Sequence, residues 1–322
     1  MNSSLQLARE NLSSVVVLLF IFGFFAARIK SDVRIPEPIY QFISIFLLFG
    51  IGLKGGHALK DVSISDFLAP SIATFLLGSA IPVFAFFILG LVRKLNEIDR
   101  GAIAAHYGST SLVTFTAALL FLENTQIHVE GYATALLTVM EVPGIVVGIY
   151  LGSRHRSIKP PWSTTLREVL TGKTIALLVG GLLIGLLTTT AGYEKVTPFF
   201  IDSQSGFLAL FLLHLGYLAG NNWEEIKHVG FPMAIFAILF PIFTGTLGIL
   251  TGTLVGLSLG GTVILGVLCA SASYIAAPAA VLIALPESKA SLALVSSIGV
   301  TFPFNLIIGI PLYLEIARLV HG

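Results

Sequence analysis

The stretch YGSTSLVTFTAA (residues 107–118) places small and hydroxylated residues inside a long apolar segment, and CASASYIAAPAA (269–280) does the same in the second half of the chain. Glycine costs about 1 kcal/mol relative to alanine in a helix interior, and serine is not a strong helix former. Pro278 removes one more main-chain donor from the second stretch. We therefore predict that both segments are helices interrupted at mid-depth in a membrane.

The rest of the chain is too apolar for a soluble domain. Of its 322 residues, 55% are hydrophobic and 11% are charged, where soluble domains carry about 25% charged residues. The mean hydropathy is +0.93. The 18 Lys+Arg nearly balance the 17 Asp+Glu, so there is no cationic face of the kind that binds nucleic acid. The predicted fold class is an all-α integral membrane protein.

Ten apolar segments are long enough to cross a bilayer, which takes roughly 20 residues each. For the first segment a cleaved signal peptide is the alternative, but the residues before it are not strongly basic. The predicted spans are 12–28, 37–53, 67–92, 101–122, 131–152, 173–191, 199–219, 231–257, 261–285 and 291–318.

The basic residues indicate the orientation of these spans. Most Lys and Arg fall in connectors that lie on one side, and cytoplasmic connectors retain positive charge. Both termini are therefore predicted to lie outside and the central connector, 153–171, inside. This connector carries basic residues and the Pro160–Pro161 pair. We interpret it as a cytoplasmic anchor between two bundles, with a regulatory docking site as the alternative.

The two halves of the chain resemble each other weakly but in order. Because each half has five spans, the second half enters the membrane from the opposite face, which gives a five-plus-five inverted repeat. Inverted repeats are typical of secondary transporters with a binding site near the midplane. The corresponding segments are 46–56 and 211–221, Pro70 and Pro232, 107–118 and 269–280, and 142–145 and 302–305.

The interrupted helices, spans 4 and 9, carry the predicted binding site. Free N–H groups at the start of a half-helix attract an anion, and free carbonyls can hold Na⁺. Hydroxyl groups serve both purposes, since they donate to anions and accept at cations. Close helix packing without any ligand is the alternative. The predicted substrate-binding residues are Gly108, Ser109, Thr110, Ser111, Ser271, Ala272 and Ser273.

Glu141 is the ionisable residue that stands out inside a span. Such a group costs about 2.5–3.5 kcal/mol to insert and is a functional candidate by default. Pro143 frees a nearby carbonyl, and the corresponding stretch of the second half carries Thr301 and Asn305. We predict a sodium-binding or coupling set of Glu141, Ala270, Thr301 and Asn305. A buried, paired structural glutamate is the alternative.

No motif predicts an enzyme, a cofactor or a transition-metal site. The glycine-rich stretches lie inside apolar spans, not after a strand, so they do not indicate phosphate binding. His106 and His214 lack a metal-type partner at helical spacing, and we interpret both as hydrogen-bonded packing residues.

Several runs resemble the sodium-dependent bicarbonate transporter family, the SbtA-like proteins of cyanobacteria and other bacteria. They are AAHYGSTSLVTF (104–115), LTVMEVPGIVVGI (137–149), GIGLKGG (50–56), SASYIAAPAA (271–280) and VTFPFNLIIGIPLYL (300–314). The resemblance implies a homotrimer of ten-helix subunits in a bacterial cytoplasmic membrane, importing HCO₃⁻ with Na⁺. It also implies a gate domain (1–66 and 172–228) and a core domain (67–152 and 229–322) that moves like an elevator.

The connector between the two halves is shorter than in cyanobacterial members of this family. This difference argues against regulation by a PII-like signalling protein.

Two functions other than symport are also compatible with the sequence. Besides symport of bicarbonate or another small monoanion, a Na⁺/H⁺ antiporter would have to use Glu141, and a membrane sensor would bind the anion without transporting it.

Overall fold

The computed structural model describes residues 9, 11–92, 95–156, 160–224 and 230–321. Within these ranges all of the regular secondary structure is helical and there is no strand. Arg93, Lys94, Lys159 and Lys227, which contributed to the predicted orientation, lie outside the described residues. The helices are α1 (Val15–Arg28), α2 (Glu37–Ala58), α3 (Ile64–Ile88), α4 (Glu97–Gly108), α5 (Leu112–Asn124), α6 (Ala133–Ser153), α7 (Trp162–Thr171), α8 (Lys173–Leu187), α9 (Thr190–Phe200), α10 (Gln204–Asn221), α11 (Phe231–Leu254), α12 (Leu259–Ala270), α13 (Ala276–Ala284) and α14 (Ser291–His321).

These helices make a multi-pass membrane protein. In the described part of the chain, 7 helical segments are long and apolar enough to cross a bilayer, and α7 with α8 makes an eighth if that bent pair, which turns by 48°, is one span. Two apolar helices, α1 and α12, fall below that length. The prediction of an all-α membrane fold is therefore confirmed at this level.

The central connector contains a helix that the sequence pattern did not suggest. Helix α7 forms inside it, and Thr165 and Val169 are its buried residues. Val169 packs with Ala277 and Val281 of α13 in a small apolar cluster. The connector therefore lies against α13 before the chain turns at Gly172 into α8.

Pairs of helices approach closely through glycines. Helix α1 packs along α10, where a Cβ on Gly216 would overlap the main chain of Phe20. Helix α2 packs along α8, where a Cβ on Gly56 would overlap the main chain of Leu182. Small residues are favoured at such seams because helices in lipid associate by close packing, without a hydrophobic driving force.

Helices α4 and α6 form the closest seam near the predicted site. Small residues spaced three or four apart on α4 face glycines spaced four apart on α6, so the two main chains touch. The facing pairs are Gly101–Gly152, Ala105–Gly148 and Gly108–Gly144. The end of α4 is thereby held against α6, and Pro82 of α3 closes its other side, 2.8 Å from where a Cβ on Gly108 would lie.

We expect Gly148→Ala to destabilise the protein, because the new methyl would lie 2.8 Å from Ala105 Cβ and closer still to the Ala105 main chain. Overpacking of this kind costs about 1–3 kcal/mol. The measurement is thermal melting in detergent. Gly180→Ala is the matched control, because a Cβ there has no atom within 4 Å. Equal melting temperatures for the two variants would show that the α4–α6 seam is looser than described.

Candidate functional site

Both predicted interruptions are present. Helix α4 ends at Gly108 and α5 begins at Leu112, and the three residues between them are not helical. Ser109 is extended, with φ −96° and ψ 165°. Helix α12 ends at Ala270 and α13 begins at Ala276, and Ser271 is extended in the same way, with φ −88° and ψ 167°.

The two interruptions are bonded directly to each other. The Ser273 N–H donates to the main-chain oxygen of His106 over 2.8 Å. The Ser111 N–H donates to Ser271 Oγ over 2.9 Å, and that hydroxyl donates to the Leu268 carbonyl, also over 2.9 Å. All of the predicted substrate-binding residues are buried. Helix ends with freed peptide groups inside a membrane need such partners, because no water is available there.

A small cavity lies where the two interruptions meet. Its volume is about 10 Å³, which is space for about one water molecule. The residues at the starts of α5 and α13 line it, so the N-terminal ends of both half-helices face the same space. The lining residues are Thr110, Ser111, Leu112, Glu141, Thr174, Ser273, Tyr274 and Ile275.

Side-chain oxygens cap the two helix starts. Ser111 Oγ accepts from the Thr114 N–H over 3.2 Å at the start of α5. Ser273 Oγ accepts from the Ala277 N–H over 3.3 Å at the start of α13. Since the first N–H groups of a helix have no partner within the helix, the remaining ones are free to meet a ligand in the cavity.

Glu141 reaches this cavity from α6 and is 2% exposed. The Thr110 hydroxyl donates to its Oε2 over 2.6 Å. Pro143 has no N–H, so the Val139 carbonyl, four residues before it, lacks a helical donor. The Glu141 carboxylate therefore lies close to the Thr110 hydroxyl, and both are oxygen ligands that suit a hard cation.

Two other residues of the predicted sodium set, Ala270 and Asn305, are bonded to each other. The Asn305 amide donates to the Ala270 carbonyl over 2.7 Å, and Tyr313 OH donates to Asn305 Oδ1 over 3.0 Å. Among the described residues no hydrogen bond joins Glu141 to Ala270, Thr301 or Asn305. The grouping of these four residues around one sodium ion stays a prediction.

Thr301 supplies a hydrogen-bond donor to a carbonyl that a proline leaves without one in a neighbouring helix. Its hydroxyl donates to the Ala237 carbonyl over 2.7 Å, and that carbonyl lacks a helical donor because Pro241 has no N–H. Tyr107 OH lies 2.7 Å from Thr301 Oγ1. Since the Thr301 proton is given to Ala237, Tyr107 is the donor in this second bond.

One family model matches almost the whole chain. It describes the Na⁺-dependent bicarbonate transporter superfamily and covers residues 15–318. The chain belongs to this superfamily. A search of curated proteins gives no match. The resemblance drawn from the sequence runs is confirmed, and as a member of a transporter superfamily the protein is assigned to transport and not to catalysis.

Several residues at the site of this superfamily member escaped the sequence analysis. Tyr274 lines the cavity and accepts from Ser111 Oγ over 3.2 Å, although it lies inside one of the quoted runs. Thr174 comes from α8, where no motif marks it. Two π-helical turns, Ser297–Thr301 and Asn305–Gly309, interrupt α14 on either side of Phe302–Phe304. Pro303 was the available signal for them, since proline cannot continue the helical hydrogen bonding.

We expect Thr301→Val to lower the melting temperature, because the Ala237 carbonyl would be buried without a donor. An unsatisfied buried polar group costs about 1–3 kcal/mol. Thr301→Ser keeps the hydroxyl and is the matched control, so its melting temperature should stay close to that of the unmodified protein. If Val and Ser reduce thermal stability equally, the Thr301–Ala237 hydrogen bond is not the stabilising interaction.

Proposed function

We propose that this protein is a secondary active transporter that carries bicarbonate into the cell together with Na⁺. Membership of the superfamily supports the substrate and the ion. The observation that carries the proposal is the single cavity faced by the starts of α5 and α13 and by the Glu141 carboxylate. It offers positive helix ends to an anion and a carboxylate to a cation, side by side.

The anion would be held by hydroxyls and main-chain N–H groups. Gly108, Ser109, Thr110, Ser111, Ser271, Ala272 and Ser273 form the proposed substrate-binding set. Among the described residues, no Lys, Arg or other cationic side chain lines the cavity, which fits a small monoanion better than a carboxylate ligand that recruits a bidentate guanidinium. The cavity would have to widen to admit the four heavy atoms of bicarbonate.

We place Na⁺ next to Glu141 and not next to Asn305. The Thr301 hydroxyl and the Asn305 amide are occupied in repairing free carbonyls. Glu141, in contrast, accepts a hydrogen bond from the Thr110 hydroxyl and presents a carboxylate to the cavity. Transporters of this general kind coordinate Na⁺ at irregular backbone with free carbonyls, and Glu141 lies beside such irregular backbone, since it is bonded to Thr110 in the non-helical stretch between α4 and α5.

The contact pattern supports an inverted repeat of five plus five spans. If span 1 matches span 6 and span 2 matches span 7, the packing of α1 on α10 corresponds to the packing of α8 on α2. The hydrogen bonds between the two interrupted helices also repeat, with the same sequence offset between the two halves for both partners. Ser273 N–H donates to the His106 carbonyl, and its counterpart Ser111 N–H reaches the Leu268 carbonyl through the Ser271 hydroxyl.

The proposed repeat supports a division of the protein into a gate domain and a core domain that move relative to each other. Residues 1–66 and 172–228 would form the gate, residues 67–152 and 229–322 the core, and 153–171 the connector. The cavity lies between them, since Thr174 belongs to the gate and its other lining residues to the core. Thr174 is the second residue of α8, so the proposed site adjoins the start of that gate helix, and in an elevator-like mechanism the core would move along it.

The same proposal includes ten spans, with α1 and the α12–α13 pair added to the eight candidates above. The distribution of basic residues supports external termini in a bacterial cytoplasmic membrane. Assembly into a homotrimer rests on the family resemblance.

Uptake of labelled bicarbonate into proteoliposomes tests the proposal. We expect an inward Na⁺ gradient to drive accumulation, because the cation and anion would share one site. Dissipating the gradient with a sodium ionophore should abolish it. Equal uptake with and without the gradient would contradict coupling to Na⁺.

A Na⁺/H⁺ antiporter is the second candidate, and the buried carboxylate of Glu141 in the cavity favours it. In the same vesicles, proton efflux driven by Na⁺ with no bicarbonate present would support antiport. Proton movement that appears only with bicarbonate, or not at all, would support symport.

We expect Glu141→Gln to raise the Na⁺ concentration for half-maximal uptake by about tenfold or more, since contacts to a charged group are worth about 1.5–3 kcal/mol. The glutamine oxygen can still accept from Thr110, so the fold should be retained. The exposed Glu123→Gln is the matched control. An unchanged Na⁺ dependence in the Glu141 variant would remove Glu141 from the sodium site.

A further inference from the structure

His106 makes two contacts with one residue of the opposite interrupted helix. Its main-chain oxygen accepts from the Ser273 N–H over 2.8 Å, and its ring Nδ1 lies 2.7 Å from the Ser273 carbonyl oxygen. The side chain is fully buried. A single histidine therefore holds both main-chain polar groups of Ser273.

The ring must be protonated at Nδ1. A carbonyl oxygen can only accept a hydrogen bond, so Nδ1 is the donor. Nε2 is buried and has no hydrogen-bond partner among the described residues. Within the described residues, the imidazole therefore contributes a single hydrogen-bond donor, its Nδ1–H, at a defined position.

Because His106 holds the main chain of Ser273, it also restrains the start of α13. Its Oγ accepts from Ala277 N–H at the start of that helix, and Ser273 lines the cavity. On the other half-helix, the Ser111 carbonyl accepts from Phe115 N–H within its own chain segment. Both starts are bonded across the crossing, but in different ways. At Ser273 the opposite helix holds both the main-chain N–H and the main-chain carbonyl, whereas at Ser111 it holds the main-chain N–H and the side-chain hydroxyl.

We propose that His106 is a positioning residue for the anion site. It fixes the main chain of Ser273, and with it the N-terminal end of α13, through the Nδ1–H of its ring. It does not need to contact the substrate. The proposal rests on the proposed function for its readout, because positioning is measured as affinity for the transported anion.

Two substitutions separate this role from packing. Asparagine places an N–H near the position of Nδ1, and glutamine places one near the position of Nε2, while both are smaller than histidine. We expect His106→Asn to raise the bicarbonate concentration for half-maximal uptake by no more than about threefold, and His106→Gln by at least about tenfold, as expected when a buried carbonyl loses its donor. Thermal melting of both variants checks that they are folded.

Three outcomes would overturn the proposal. They are equal losses in both variants, no loss in either, or a larger loss in the asparagine variant. Nitrogen-15 NMR of the wild-type protein with labelled histidine is the second measurement, and it needs no variant. It should show a buried neutral ring protonated at Nδ1, and the absence of such a ring would also overturn the proposal. Wild-type uptake tests the transport function separately, so its failure is distinguishable from a failure of this one.

Discussion

The structure depends on one constraint, which is that two helices stop inside the membrane and their free peptide groups must find partners there. Hydrocarbon offers none. The chain solves this by crossing the two interruptions, so that the peptide group of Ser273 meets His106 and that of Ser111 meets Ser271. Each interruption supplies partners to the other. The starts of α5 and α13 face a shared cavity, and the proposed binding site follows from the same arrangement that makes the interruptions tolerable.

Prolines leave a second set of main-chain carbonyls without helical donors. These carbonyls differ in whether a side chain supplies a replacement donor. Pro241 frees the Ala237 carbonyl, which the Thr301 hydroxyl satisfies. Pro143 likewise removes the helical donor of the Val139 carbonyl. Satisfied carbonyls stabilise the packing between helices, whereas a carbonyl without a donor is available to a cation. This difference distinguishes the two groups of oxygen ligands better than residue type alone.

The sequence predicted the interruptions because glycine, serine and proline act locally on helix formation. It also predicted that 108–111 and 271–273 would come together, since corresponding positions of an inverted repeat meet near its axis. The grouping of Glu141 with Asn305 could not be tested in this way, because it depends on which helix face each residue occupies. The π-helical turns of α14 rotate that face, and no periodicity in the sequence records the rotation. The helix in the central connector was missed for a similar reason, because its few apolar residues become meaningful only against α13.

Charge balance in the proposed site gives a physical reason for coupling. An ionised Glu141 next to the cavity repels a bicarbonate ion, and few water molecules fit there to screen the repulsion. A sodium ion bound by Glu141 neutralises that carboxylate. The bicarbonate charge then faces the starts of α5 and α13, each equivalent to roughly half a positive charge, so the loaded site is close to neutral. With the anion alone the site carries a net negative charge, and with Na⁺ alone the positive helix ends lack a counter-charge. By the same count the empty site, with one carboxylate and two half-positive helix ends, is also close to neutral. The empty and doubly loaded sites are therefore the forms with a low electrostatic cost, and the singly loaded forms are disfavoured, which is the condition that a symporter needs.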